Sequence, residues 1–570
     1  RDYITNWSYG IGETLTLLVP NVKGGGSGAT MSQSEVAMAK ANPMYSGIYS
    51  QFPRQYFGEQ PWTAGPVYVG AFVMFLFVLG CFIVKGPLKW ALLGATIFSI
   101  LLSWGKNFMG LTDFFIDYVP MYNKFRAVSS ILVIAEFTIP LLAIFALKEI
   151  LNKPDTLKLK ENRGGVIATL VLTAGVALIL AVAPGVSSSS FVTAQEIATL
   201  EQVLPAESRA QHLAPIVANL TEMRKAVVAS DAWRSFFIIV IGCVLLFLYQ
   251  QRKLKASFTL AGIALLCLID MWSINKRYLN DEQFVPKSKQ TEAFVKTQAD
   301  EMILQDTTLN YRVLNFIGFP GNTFNENNTA YWHKSVGGYH AAKLRRYQEM
   351  IDHHIMPEMQ ETYQAVATAG GQMDSVDASK FRVLNMLNTK YFIFPAGEQG
   401  QAVPVVNPYA YGNAWFVDKV QYVNNANEEI DALNDILPTE TAVVDVKFKE
   451  QLKGVTEGYK DSLSTIQLTS YEPNRLVYKA STPKDGVVVF SEIYYPGWQV
   501  TIDGQPIDIA RADYILRAIN VPAGEHTIEM WFDPQSIQVT ESIAYAALAL
   551  LLIGVMVLAW TQRNKIAKKS

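Results

Sequence analysis

Long apolar runs separated by short polar connections dominate the chain. A helix needs about 20 apolar residues to cross a bilayer. Seven runs meet or approach this length, at 65–84, 87–104, 128–148, 164–184, 232–250, 255–273 and 541–560. We therefore predict a polytopic α-helical membrane protein with about seven spans.

Basic residues fall in every second connection between these runs and predict the orientation of the chain. They are Lys85 and Lys89, then Lys148, Lys153, Lys158, Lys160 and Arg163, then Arg252, Lys253 and Lys255, and finally Arg563, Lys565, Lys568 and Lys569. Connections rich in Lys and Arg remain in the cytoplasm. The pattern predicts a multi-pass protein of the cytoplasmic membrane with a cytoplasmic C-terminus, and with residues 1–64, 105–127, 185–231 and 274–540 outside.

The largest outer segment alternates strands with helices and then changes to strands alone. Strands are predicted at Tyr311–Phe316, Lys390–Phe394 and Ala414–Val420, and a helix at Ala341–Ile355. The later strands are predicted at Thr465–Leu468, Arg475–Lys479, Gly486–Glu492, Gln499–Ile502, Tyr514–Asn520 and His526–Phe532, with Asp503-Gly504 as a hairpin turn. This pattern favours an extracytoplasmic α/β domain followed by a small C-terminal β-sandwich.

The predicted domains therefore follow one another along the chain. They are an outer loop segment (1–64), a transmembrane helical domain of six spans (65–273), the extracytoplasmic α/β domain (274–440), the extracytoplasmic β-sandwich (441–538), the last transmembrane helix (539–561) and a cytoplasmic basic tail (562–570). The glycine-rich stretch Gly24–Gly28 resembles an engineered linker, but the sequence on both sides favours a native loop.

Composition narrows the functional classes. Hydrophobic residues make up 50% of the chain and charged residues 17%, whereas soluble domains carry about 25% charged residues. A net charge of -2 without a basic tract predicts no nucleic-acid partner. Cys81, Cys243 and Cys267 lie in apolar runs, which favours small hydrophobic side chains over disulfides or metal ligands.

Five cations lie at the outer ends of the predicted spans, against the usual inside bias. They are Lys106, Lys124, Arg126, Lys276 and Arg277. Such residues are candidates for binding a lipid phosphate at the interface. The alternative is that these side chains snorkel to the interface or form ion pairs with Asp113 and Asp117.

Two acids are candidate catalytic residues. Glu136 lies eight residues into the third predicted span, roughly 12 Å deep at about 1.5 Å per residue. A carboxylate at that depth indicates function or a protonated side chain bonded to a neighbouring helix. Glu13 lies near Trp7 and Tyr9, whose rings are candidates for stacking on a sugar. Glu13, like Asp2, also suits a helix cap or an exposed surface.

The outer domain contains one dense polar cluster. It consists of His333, Lys334, Tyr339, His340, Lys343 and Arg346. This set suits a phosphate, a sugar or an acidic polymer, and it equally suits a solvated surface. His353 and His354 are adjacent and would point to different faces of a helix, so we predict no metal site. The aromatic residues Tyr494, Tyr495, Trp498 and Trp531 are candidates for a sugar platform or for the core of the sandwich.

Four stretches together resemble the YfhO family of bacterial membrane proteins. They are Asn6-Trp7-Ser8-Tyr9-Gly10 with Glu13, Leu17, Pro20-Asn21 and Gly24-Gly25-Gly26; Lys124-Phe125-Arg126-Ala127; Ser335-Val336-Gly337-Gly338-Tyr339-His340 with Lys343 and Arg346-Tyr347; and Tyr494-Tyr495-Pro496-Gly497-Trp498 with Asp503-Gly504 and Pro522-Ala523-Gly524-Glu525-His526. The resemblance implies a bacterial inner-membrane enzyme similar to the GT-C glycosyltransferases.

An enzyme of this class transfers a sugar from a polyprenyl-phosphate carrier on the outer face of the membrane and uses no further cofactor. The acceptor is expected to be a cell-envelope glycan, lipid or polymer, which the outer domain would bind or cover. The class places an essential acid in its first outer loop, and we expect that segment to lie upstream of Arg1.

Two other classes compete with the transferase. A non-catalytic envelope protein would use its spans as an anchor for a domain that binds glycan or protein. A flippase would need polar residues on several spans and a repeat between halves. The apolar runs show only Glu136 deep in a predicted span, and the sequence shows no clear repeat between its halves. We therefore rank the flippase last.

Overall fold

Two compact units, Arg1–Val285 and Pro286–Ser570, make up the computed structural model of this chain. The structure describes residues 1, 3–290, 294–396, 401–452 and 463–567. Asp2 and the last two lysines of the predicted basic tail, Lys568 and Lys569, lie outside the described residues.

The first unit is helical. Its α-helices are α1 Glu35–Met38, α2 Ser46–Gln51, α3 Ala71–Ile83, α4 Pro87–Ser103, α5 Met109–Tyr118, α6 Val133–Asn152, α7 Lys160–Leu170, α8 Val176–Val182, α9 Ala194–Val203, α10 Ala206–Gln250 and α11 Ala256–Tyr278. A π-helical segment, Val171–Gly175, joins α7 to α8. Small side chains bring α3 and α6 together, because a Cβ on Gly80 would lie 3.0 Å from the carbonyl oxygen of Leu142.

The described part of the chain contains five helices long and apolar enough to cross a membrane. They are Val128–Asn152, Lys160–Val182, Ala206–Gln250, Ala256–Gln283 and, in the second unit, Gln535–Asn564. Helices α4 and α5 form a sixth candidate if the pair, which is bent by 109°, is one span. The structure therefore supports five to six membrane-crossing helices and β-sheet regions, against about seven predicted spans.

The first two predicted spans differ most from the structure. Helix α3 has 13 residues and is about 20 Å long, shorter than the roughly 30 Å hydrocarbon core of a bilayer. It is short because residues 66–70, which include Pro66, have no helical structure. The second span bends after Ser103, where Gly105 adopts a φ of 44°. The fifth predicted span is the end of the 45-residue helix α10, which begins well before position 232.

In its described residues the second unit combines helices with four sheets. Its helices are α12 Gln298–Ile303, α13 Asn328–Trp332, α14 Arg345–Met350, α15 Met356–Thr368, α16 Arg382–Met386, α17 Ala426–Ala432 and α18 Gln535–Ala567. Its strands are β1 Arg312–Asn315, β2 Thr389–Ala396, β3 Gln401–Val406, β4 Ala414–Val417, β5 Lys419–Val423, β6 Thr441–Asp445, β7 Thr465–Glu472, β8 Arg475–Thr482, β9 Gly486–Ile493, β10 Trp498–Ile502, β11 Gln505–Ile507, β12 Ala510–Ala512, β13 Leu516–Val521 and β14 Gly524–Phe532.

A five-stranded sheet and a four-stranded sheet build the C-terminal sandwich. Their strand orders are β11-β10-β14-β8-β7 and β12-β13-β9-β4. The remaining strands form a three-stranded sheet, β1-β2-β3, in which β1 and β2 are parallel, and the parallel pair β5-β6. The predicted hairpin at Asp503-Gly504 is confirmed, because Ile502 pairs with Gln505 across it.

The four-stranded sheet is buried on both faces. In β9, Val488 and Phe490 pack into the core of the sandwich, whereas Val487 and Val489 pack into a second core shared with the helices. A strand covered on both faces is apolar without interruption. Strand β4 comes from the predicted α/β domain and pairs with β9. The second core therefore contains residues from both sides of position 440.

Candidate functional site

A buried carboxylate lies at the centre of the first segment of the chain. Glu13 is 1% exposed, in the 3-10 helix Ile11–Leu17. The backbone N–H of Gly10 donates to its Oε2 at 2.9 Å, and the N–H of Glu59 donates to Oε1 at 3.0 Å. The hydroxyl of Tyr56 donates a third, short hydrogen bond to Oε1. These three donors fix the carboxylate in one orientation.

The Glu13 pocket is polar, enclosed and small. It is lined by Tyr9, Thr16, Lys23, Tyr56 and other residues, and its volume is about 10 Å³, about the room needed for one water molecule. Burial raises the pKa of Glu13 against its hydrogen bonds and lowers the pKa of Lys23. The pocket as it stands holds no sugar, and its groups have the perturbed pKa values typical of a functional site.

Residues Trp7–Tyr9 dock against the ends of two apolar helices. The N–H of Tyr9 donates to the carbonyl of Ser103 at 2.8 Å, and the N–H of Lys106 donates to the Ser8 hydroxyl at 2.8 Å. The N–H of Ser129 donates to the carbonyl of Trp7 at 3.3 Å. These contacts hold the sequence motif around Trp7 against the helix ends and next to the backbone of Lys106.

Two of the three predicted phosphate-binding cations near Trp7–Tyr9 are exposed on the surface of the unit. Lys106 and Lys124 are exposed, and no carboxylate pairs with either within the described ranges. The guanidinium of Arg126 lies 5.2 Å from the centroid of the Trp7 ring. The predicted partners Asp113 and Asp117 pair instead with Arg1, at 2.7 and 3.0 Å.

Glu136 occupies the first turn of α6 and is exposed on the surface of the unit. No hydrogen bond or ion pair to its carboxylate is present among the residues that the structure describes. It lies seven residues after Ser129, a rise of roughly 10 Å beyond the contact with Trp7. Burial raises the pKa of Tyr9, and the charges of Glu13 and Glu136 contribute to that rise. The charges of both predicted acids are therefore felt at the Tyr9 hydroxyl.

The other two predicted phosphate ligands are occupied by carboxylates. Arg277 forms a two-fold ion pair with Asp231, with Nη1–Oδ2 at 2.7 Å and Nη2–Oδ1 at 2.9 Å. Lys276 pairs with Asp281 at 3.0 Å. Arg277 therefore has a structural role in the described chain.

Sequence reasoning missed the acid partners within and beside the apolar helices. Asp270 on α11 is 1% exposed and pairs with Arg234 on α10 at 2.7 Å. Arg224 is 1% exposed and binds Glu196. A signal was present, since Arg234 and Asp270 interrupt predicted apolar runs. Their pairing depends on which helix faces meet, which the runs do not indicate.

The polar cluster predicted at residues 333–346 does not form a single site. His333 Nε2 lies 2.9 Å from Asp300 Oδ1, and Lys334 donates to Asn310 Oδ1 at 2.9 Å. Arg346 pairs with the buried Glu429 at 3.1 Å. Each of these side chains is committed to a different neighbour.

The rest of that cluster is exposed or half-buried and bonded locally. Lys343 donates to Gln348 at 3.2 Å, and the ring of His340 accepts from the N–H of Ala342 at 3.0 Å. Tyr339 is 45% exposed.

Neither the histidine pair nor the aromatic platform forms a site. The ring of His354 is bonded to the carbonyl of Ile430 at 2.9 Å. No group of three or more His, Cys, Asp or Glu suited to a metal exists within the described part of the chain. Trp498 packs against the sandwich core with the Arg517 guanidinium 3.9 Å from its ring centroid.

The C-terminal sandwich carries a family match. Residues 446–544 match the sequence model of the family described as bacterial membrane protein YfhO. No curated protein and no solved structure matches the chain at a significant level. The resemblance expected from the motifs is confirmed over strands β7 to β14 and the first turns of α18. The family match and the apolar helices together identify a membrane protein.

Proposed function

We propose that this membrane protein, whose residues 446–544 match the YfhO family, is a glycosyltransferase. It moves a sugar from a polyprenyl-phosphate carrier to a cell-envelope acceptor on the outer face of the bacterial cytoplasmic membrane. The observation that carries the proposal is Glu136, an exposed carboxylate to which no described residue donates a hydrogen bond. It lies in the first turn of an apolar helix that begins shortly after Ser129, whose N–H bonds to the docked segment Trp7–Tyr9.

The arrangement of the first unit supports this orientation. The basic connections after α6 and α10 meet, because Lys158 donates to the carbonyl of Gln250 at 3.1 Å and Tyr249 donates to that of Leu151 at 2.8 Å. The N-terminal segment contacts α10 at the start of its apolar part, where Ser235 donates to the carbonyl of Leu18 at 2.8 Å. It also contacts the residues just before α6, where the N–H of Ser129 donates to the carbonyl of Trp7. The positive-inside rule then assigns the basic end to the cytoplasm and the Glu13 pocket to the outside.

The proposed chemistry divides between the cations and Glu136. Lys106, Lys124 and Arg126 hold the lipid phosphate, which leaves with the electrons of the bond to the anomeric carbon. The acceptor hydroxyl forms the new bond to that carbon and gives its proton to the Glu136 carboxylate. Glu13 is a positioning residue. Three donors fix its carboxylate, and the carboxylate in turn holds Gly10 and the neighbouring Tyr9 in place.

A transfer assay in membranes containing the protein tests this assignment. General acid–base groups contribute about 10²–10⁴ in rate, so Glu136→Gln should reduce transfer from radiolabelled polyprenyl-phosphate sugars at least a hundredfold. Glu149→Gln, on the same helix, is the matched control and should retain activity. Lys106→Ala and Arg126→Ala should raise the KM for the lipid donor more than they lower kcat. Full transfer by Glu136→Gln would refute the role of this residue.

A non-catalytic, membrane-anchored glycan- or protein-binding protein is the second candidate. The observation that favours it is the size of the Glu13 pocket, about 10 Å³, which admits no sugar without opening. Failure of every lipid-linked donor with a folded protein would select this candidate.

A further inference from the structure

A second pocket, in the outer part of the second unit, has the composition of a ligand site. Its volume is about 220 Å³, and the residues that line it include Asp300, Asn322, Glu326 and Trp332. It lies between the strand ends of the β1-β2-β3 sheet and the helices α12 and α13. None of these lining residues belongs to the sites predicted above.

Two polar atoms of the lining are shielded from solvent and have no hydrogen-bond partner among the residues that the structure describes. They are Oε1 of Glu326 and Nε1 of Trp332. The other carboxylate oxygen of Glu326 accepts from the N–H of Thr329 at 3.1 Å, which fixes the side chain. A buried polar group without a hydrogen bond has lost its bonds to water and gained none in return, which destabilises the fold. A ligand that satisfies both atoms removes that destabilisation.

The remaining carboxylate of the pocket is fixed and ionised. Asp300 accepts from Thr297 through Oδ2 at 2.8 Å and is bonded to His333 through Oδ1 at 2.9 Å. Burial alone would raise the pKa of Asp300, but the hydrogen bonds from His333 and Thr297 lower it below its usual range. The pocket therefore presents negative charge at neutral pH.

These features select a class of ligand. An anion would meet the carboxylates of Asp300 and Glu326, and a simple cation would leave the indole N–H of Trp332 without an acceptor. A hydroxyl group both donates and accepts, so it satisfies Glu326 and Trp332 alike. Val295, Ile317 and Ile393 add an apolar wall, suited to the C–H face of a ring.

We propose that this pocket binds one neutral pyranose residue of a glycan. Its volume is below the roughly 300–1,000 Å³ of sites for drug-sized ligands, so it accommodates a single ring. Glu326 and Trp332 determine specificity by accepting from and donating to ring hydroxyls. This binding does not depend on the proposed transferase activity.

Saturation-transfer NMR on the detergent-solubilised full chain tests the proposal. The probes are the methyl pyranosides of glucose, galactose, mannose and N-acetylglucosamine, with sorbitol as a flexible polyol control. At least one pyranoside should bind and sorbitol should not. Glu326→Gln, which replaces an acceptor by a donor, should weaken binding at least tenfold.

Two further variants separate recognition from folding. Trp332→Phe keeps an aromatic ring but removes the N–H, and it should also weaken binding at least tenfold. Glu301→Gln makes the same charge change at an exposed position on α12 and should leave binding unchanged. Unaltered thermal unfolding midpoints confirm that the variants fold. The proposal is overturned if no pyranoside binds, or if Glu326→Gln and Trp332→Phe both bind it as tightly as the wild-type protein does. Binding without transfer supports it while refuting the transferase.

Discussion

The ion pair between Arg277 and Asp231 decides between a structural and a phosphate-binding role for Arg277. Asp231 is buried, with its side chain 6% exposed, whereas that of Arg277 is 33% exposed. In an Arg277→Met variant the Asp231 carboxylate would keep the backbone N–H of Asn21, at 3.1 Å, as its donor. Leaving one charge of a buried pair without its partner costs about 3–5 kcal/mol. The partial exposure of Arg277 places the expected loss near the lower value, about 3 kcal/mol.

Thermal unfolding of the purified protein in detergent measures this loss. For a unit of this size, about 2 °C is expected per kcal/mol, so the midpoint should fall by roughly 6 °C. The double variant Asp231→Asn with Arg277→Met removes the stranded charge and should recover most of the fall. Lys276→Met is the matched control, since its partner Asp281 is 96% exposed and such pairs contribute about 0–1 kcal/mol. An Arg277→Met protein as stable as the wild type, with weaker binding of the lipid donor, would refute the structural role.

Two further predictions test the packing around Glu13 and the titration of Asp513. Gly58→Ala should destabilise the protein by about 1–3 kcal/mol, because its Cβ would overlap Glu13 Oε1. Gly47→Ala, with nothing within 4 Å of the added Cβ, is the control in the same unfolding assay. Equal unfolding midpoints for the two variants would contradict the prediction. Burial, with the Glu429 charge, raises the pKa of Asp513 from 3.8 to about 8. Between these two pH values the folded protein keeps a proton on Asp513 that the unfolded chain has released. The free energy of unfolding should therefore fall as the pH rises from about 4 to about 8. Asp513→Asn should flatten this dependence in unfolding experiments across that range, and an unchanged slope would show that other groups cause it.

Local patterns predicted the longer strands of the C-terminal sandwich. The strand predicted at Gly486–Glu492 is β9, Gly486–Ile493. The pattern did not reveal β3, β6, β11 and β12, and the single strand predicted at Ala414–Val420 is divided into β4 and β5. Patterns failed where the structure depends on distant contacts. The predicted helix Ala341–Ile355 begins at Arg345 and continues through a π-helical segment into α15, ending at Thr368.

The candidate site was predicted less completely than the fold. Glu136 was selected as a charge within an apolar run, and Glu13 as an acid of the first outer segment near Trp7 and Tyr9. The structure places Glu13 and Tyr9 around one pocket, whereas Glu136 lies on the helix Val133–Asn152. The cluster around His333 and Arg346 was selected from proximity in sequence. In the structure these two side chains bond to Asp300 and Glu429, which lie far away along the chain. Proximity in sequence does not determine which side chains share a face, because that depends on tertiary packing.

The pairing of β4 with β9 has a consequence for synthesis of the chain. Trp415 on β4 pairs with Val489, a partner that leaves the ribosome 74 residues later. At about 5–20 residues per second, β4 would wait several seconds for β9, its ladder partner. Expression of residues 286–440 alone would leave β4 without β9. Because Phe490 of β9 packs in one core with Ile528 and Met530 of β14, we expect a folding fragment of the second unit to extend to Phe532.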